Sequence, residues 1–181
     1  YGHDVGRATR EDGGTTTTVR MSLLRAPLYP DPDADQGAHR LRVGLVVGAD
    51  VADAVREGYR TNLPVREVAT TAAVEALAPV VAVLDAAGGA SGSVVVEAVK
   101  MAEDRSGDVV VRLYESLGGR ASARVTAGFA HGAVTEVDLL ERPVEEPRAL
   151  VAGAAGEDGG VSELALRPFQ IVTLRFSRSA R

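Results

Sequence analysis

Apolar and polar residues alternate along much of this chain. In VVVRLYES (109–116), Val109, Val111, Leu113 and Glu115 fall on one face, and Val110, Arg112 and Tyr114 on the other. In ASARVT (121–126), Ala121, Ala123 and Val125 alternate with Ser122, Arg124 and Thr126. A period of two marks half-buried antiparallel strands. Short β-branched runs bounded by glycine, proline or aspartate extend the pattern to about ten predicted strands. They lie at 15–25, 39–48, 63–69, 78–85, 92–104, 107–118, 121–128, 132–143, 162–170 and 171–177. Helical spacing appears over 48–62, where Val51, Ala54, Val55 and Tyr59 share a stripe and Asp50 is placed to cap it. TAAVEALAP (71–79) reads as a further helical turn or two. The segments between strands are too short for parallel crossovers. The predicted fold is therefore all-β, an antiparallel β-sandwich of about ten strands with one short helix. Residues 86–93 and 151–160, rich in glycine and alanine, read as soft connections.

Length suits one domain with a proper core. A net charge of −5, scattered arginines and only 4% aromatic residues argue against a nucleic-acid partner. No apolar run reaches membrane-spanning length, so no membrane partner is expected. The absence of cysteine excludes disulfides, thiolate metal sites and cysteine nucleophiles, and fits a reducing, cytoplasmic compartment. The chain opens on YGHDVGRATREDGG, without an initiator methionine or an apolar leader. Residues 1–14 read as a flexible start, and the whole as one region of a longer protein.

Candidate chemistry concentrates in YPDPDADQGAHR (29–40), where Asp31, Asp33 and Asp35 alternate. A calcium loop counted from Asp31 would need glycine at its sixth position and glutamate at its twelfth; the chain has Gln36 and Arg42. A glycosidase carboxylate pair would need a deep sugar pocket that nothing nearby builds. The simplest reading is a surface loop stiffened by Pro30 and Pro32 and solvated by its aspartates. His3, His39 and His131 stand far apart and form no metal-binding spacing. His39, closing the acidic loop, is the one best placed to act. No phosphate-binding glycine loop and no G-x-S-x-G elbow occurs. Spacing alone therefore gives a β-sandwich with no catalytic centre and no metal site of its own.

Several stretches, in order, carry a resemblance. MSLLRAPLYPDPDADQGAHRLRVGLV (21–46) closely resembles a segment of the glycoside hydrolase family 38 α-mannosidases, especially their cytosolic and bacterial branch. YGHDV (1–5), EGYRTNLPVR (57–66), the stretch from VVVEAVKMAED to ASARV (94–125) and RPFQIVTLRF (167–176) are similar to further family segments. The resemblance implies that the chain is the C-terminal β portion of a large retaining enzyme. That enzyme would trim α-linked mannose from oligosaccharides or glycans. The nucleophile, the acid/base and a divalent metal, usually zinc, would lie in an absent N-terminal catalytic domain, followed by a helical bundle. These domains and a mannose-containing oligosaccharide would be the partners, and the isolated chain would be inactive. By the same resemblance Arg25 and Asp35, with His39 beside them, would reach the active-site rim or clamp the neighbouring domain. Truncation could leave an apolar face through which the piece forms a homo-oligomer. The alternative is a stand-alone carbohydrate-binding or interaction sandwich, which the scarcity of aromatics and the lack of tryptophan disfavour.

Overall fold

The computed structural model describes residues 2–65, 67, 69, 79–85, 88, 91–153 and 160–179. They fall into two compact units, Tyr1–Leu45 and Val46–Arg181. In the first, β1 (His3–Thr9) and β2 (Thr15–Met21) form an antiparallel hairpin with Val5 opposite Val19. Its turn is closed by the Arg10 N–H on the Gly14 carbonyl at 2.7 Å. Residues 3–9, read as a loose start, are thus a paired strand. No described side chain of this unit is buried.

One predicted strand is not a strand, and another is not formed among its described residues. Over 39–48 the alternation of Leu41, Val43, Leu45 and Val47 is real, but no strand lies beside it among the described residues. Leu45 and Val47 remain 90% and 92% exposed. A period of two marks a potential face, whereas a strand also needs a ladder partner. The described residues of 63–69 are likewise irregular, and there Pro64 withholds a ladder donor. The helical turn predicted at 71–79 falls almost wholly on 70–78, outside the described residues.

The sandwich occupies the second unit. One antiparallel sheet runs β4-β5-β10-β7, built from Val94–Met101, Val109–Glu115, Ile171–Arg178 and His131–Val137. The other runs β3-β6-β9-β8, from Val81–Leu84, Ala121–Ala127, Val161–Leu166 and Leu150–Gly153. The predicted alternation sets their facing surfaces. Val111, Leu113, Val172, Leu174 and Phe176 of one sheet meet Ala123, Val125, Leu164 and Leu166 of the other in one buried cluster. Burying a Val, Leu or Phe side chain contributes about 1.5–3 kcal/mol, so this cluster is the main support of the fold. At its margin the Glu136 carboxylate accepts from the backbone N–H groups of Arg148, Ala149 and Leu150 at 3.1, 2.9 and 3.0 Å. It thereby ties β7 to the start of β8.

The helix α1 (Val51–Asn62) is the one the pattern predicts. Asp50 caps it, accepting from the Asp53 N–H at 2.8 Å, while the Asp53 carboxylate accepts from the Asp50 N–H at 3.2 Å. Such a reciprocal box satisfies two otherwise orphaned donors. Leu63, just before Pro64, ends the helix in extended backbone. No residue of α1 is fully buried; the Tyr59 hydroxyl reaches the Tyr114 hydroxyl of β5 at 3.3 Å. Gly58 sits in the helix interior, where glycine costs about 1 kcal/mol relative to alanine. A Cβ placed on Gly58 would meet no atom within 4 Å.

Candidate functional site: an open cleft and a buried carboxylate corner

In the first unit the aspartates of 29–40 divide their work. The Asp31 carboxylate accepts from the Asp33 N–H at 2.9 Å, and the Asp31 carbonyl from the Ala34 N–H at 3.2 Å. The Gln36 side-chain amide donates to the Pro32 carbonyl at 3.0 Å and to the Asp33 carboxylate at 3.3 Å. Asp31 and Asp33 are therefore turn-builders, as short acidic side chains commonly are. Asp35 takes a positive φ of 57°, and His39 Nε2–H donates to its carbonyl at 2.7 Å.

The Asp35 carboxylate itself makes no hydrogen bond or ion pair among the described residues, and neither does the Arg25 guanidinium. Both line one open cleft of about 710 Å³, together with Ser22, Leu24, Pro27 and Ala34. Arg25 and Asp35 are thus brought together. His39 is not in the lining; it fixes the backbone of Asp35. Ser22 is the polar lining residue that sequence reasoning passed over, and its place beside Arg25 in SLLR was the available signal. A free guanidinium fork and a free carboxylate present donors and acceptors suited to hydroxyl-bearing ligands. Among the described residues no group of three or more His, Asp or Glu side chains is placed to hold a metal ion. The zinc that the resemblance implies therefore finds no fitting ligand set there.

In the second unit the matching stretches 94–125 and 167–176 meet at a corner. Glu115 ends β5 fully buried; it accepts from the N–H groups of Leu117, Gly118 and Phe169 at 2.9, 2.8 and 3.0 Å. Gly118 takes φ +80°, and a Cβ there would stand 2.7 Å from the Phe169 ring. The RLYE segment and the RPF segment, 54 residues apart, are thus held by one carboxylate. At the opposite end of β4 and β5, on the outer face of the same sheet, Lys100 donates to Glu103 and Glu141, each at 2.6 Å. Arg175 bridges Asp104 at 2.5 Å and Asp108 at 2.7 Å. The guanidinium of Arg175 and the N–H and hydroxyl of Ser106 hold the Asp104 carboxyl down at about 2. Every charge in this group has a partner, which marks it as a strap across strand ends rather than a reactive centre.

Residues 93–174 match the glycosyl hydrolases family 38 C-terminal beta sandwich domain. The chain is 31% identical over 183 residues to Alpha-mannosidase 2C1 of Homo sapiens, an alignment covering 95% of this chain and 16% of that protein. It is 25% identical over 172 residues to an Alpha-mannosidase of Saccharomyces cerevisiae, covering 87% of this chain and 15% of that protein. The chain thus spans 15 to 16% of the length of these curated relatives. The two facing sheets, with the Glu115 corner that joins their strand ends, are the C-terminal β-sandwich of glycosyl hydrolase family 38, the family of these α-mannosidases.

Proposed function

We propose that this chain is the non-catalytic C-terminal β portion of an α-mannosidase that hydrolyses α-linked mannose in oligosaccharides or glycans with retention of configuration. The observation that carries the proposal is the family match within the sandwich, joined to alignments with α-mannosidases over nearly the whole chain. A divalent metal, zinc by preference, and the reacting carboxylates belong in this proposal to a catalytic domain outside residues 1–181. The first unit contributes Arg25 and Asp35 to the rim of the substrate site. Their unpartnered charges in a shared open cleft support this role.

The test uses the complete protein and an aryl α-mannoside. Loss of one charge-assisted hydrogen bond to substrate costs about 1.5–3 kcal/mol. Arg25→Ala is therefore expected to lower kcat/KM roughly 10- to 100-fold while leaving the thermal midpoint in place. Unchanged kcat/KM with a lowered midpoint would make Arg25 a domain clamp instead. Release of the aryl group by purified residues 1–181 alone would overturn the non-catalytic assignment. A complete protein inert on every α-mannoside would favour a binding module.

A further inference from the structure

Between α1 and β5 lies a second cleft of about 360 Å³, lined among others by Val55, Gly58, Tyr59, Asn62, Leu63 and Tyr114. It is shallow and widely open; its volume reaches the range of about 300 Å³ at which ligand pockets begin, and it combines apolar walls with a few polar groups. No charged side chain lines this one among the described residues. The polar groups are two tyrosine hydroxyls 3.3 Å apart and the Asn62 amide. The Asn62 NH2 donates to the Gly58 carbonyl at 2.8 Å, which leaves its side-chain oxygen available as an acceptor. In the tyrosine pair one hydroxyl donates to the other, so the accepting hydroxyl keeps its own proton to offer.

Gly58 stands in the wall of this cleft, in the helix one residue before Tyr59. A Cβ at this position meets no atom within 4 Å, so a long side chain there would extend into the space beside Tyr59, Asn62 and Tyr114. An uncharged lining, aromatic rings and paired donor and acceptor groups suit a neutral polyol ring better than a phosphate, a carboxylate or a basic peptide.

We infer that this cleft binds a neutral hexopyranose unit of an oligosaccharide, with Tyr59 and Tyr114 offering ring and hydroxyl contacts, Asn62 an acceptor and Gly58 the space. The choice of a mannoside as probe rests on the proposed α-mannosidase reading; the site itself rests on the cleft. The complete protein, labelled with ¹³C at its tyrosine rings, is titrated with methyl α-mannoside, and Tyr59→Phe and Tyr114→Phe assign the two signals. Saturable shifts of both signals are expected, with at least tenfold weaker response in Gly58→Leu, whose side chain would fill the cleft. Gly58→Ala, a fold control with only a methyl group, should keep the shifts. Silent tyrosine signals, or shifts that persist in Gly58→Leu, overturn the inference. A protein that shifts on titration and cleaves no α-mannoside overturns the enzyme reading and leaves the sugar cleft supported.

Discussion

Glu115→Gln is expected to lower the unfolding free energy by about 3 kcal/mol and the thermal midpoint by roughly 10 °C. The carboxylate is fully buried and accepts from the backbone N–H groups of Leu117, Gly118 and Phe169. Burial pushes its carboxyl pKa up. The N–H groups of Phe169, Leu117, Gly118 and Gly119 together outweigh that and hold it below the usual glutamate range. Glutamine keeps the volume but has one accepting oxygen, and its NH2 would face N–H groups that also donate. Each orphaned buried donor costs about 1–3 kcal/mol, and stripping one partner from a buried charged arrangement costs about 3–5 kcal/mol. The pH dependence gives a second check. A folded pKa below the unfolded one contributes stability that is present above the ordinary glutamate value and is lost as pH falls through the folded pKa. The gap between the two proteins should therefore be widest near neutrality and shrink in acid. Urea midpoints at pH 7 and pH 3 measure it, and a gap of equal size at both would refute the assigned role.

That corner also shows where sequence reading reaches its limit. Alternation correctly placed Glu115 on the same face as Val111 and Leu113, which is an odd place for a carboxylate. Its donors come from a turn directly after it and from Phe169, a residue distant in the chain, and no local period reveals such a pairing. The helix was legible because its signals are local: Asp50 at the cap and the apolar stripe behind it. Strands β5, β6, β9 and β10 were legible for the same reason, each carrying a clean face. Residues 39–48 carried an equally clean face and form no strand, because a ladder depends on a neighbour that the segment's own residues do not encode. The strand β1 was missed for the converse reason: HDVGRAT has little apolar alternation and is held by its register with β2. At the cleft, Arg25 and Asp35 were legible only through resemblance. Turn chemistry explains Asp31 and Asp33, but nothing local distinguishes Asp35 as the carboxylate left over.

Phe176→Ala is expected to cost about 4 kcal/mol, with Phe176→Leu recovering at least half of it. Phe176 is 1% exposed in the middle of the core and stands edge-on to Phe129 at 5.7 Å and to His131 at 4.9 Å between ring centres. Removing the ring leaves a cavity and breaks both aromatic contacts, each pair adding about 0.5–1.5 kcal/mol beyond burial. The imidazole of His131 would lose its contact with this ring and keep its edge contact with Phe129, while its Nδ1–H still donates to the Gly132 carbonyl and its Nε2 still accepts from the Gly160 N–H. The damage should therefore spread to the start of β9, visible as faster hydrogen exchange at Gly160 and Val161. A loss under about 1 kcal/mol would show that the two sheets collapse onto the gap and that the ring is not central to their contact.

Lys100 is the single lysine of the chain, and it is bound at both Glu103 and Glu141. The hydrogen bonds it donates to Glu103 and Glu141 raise its pKa above the ordinary lysine value, so little neutral amine is present for an acylating reagent to use. Amine-directed labelling of side chains in this region thus has one target, and that target reacts slowly while the Glu141 turn stays closed. The rate at which a succinimidyl ester modifies Lys100 becomes a single-site chemical clock for the opening of that turn. It can be read by mass spectrometry in the complete protein, without introducing a probe.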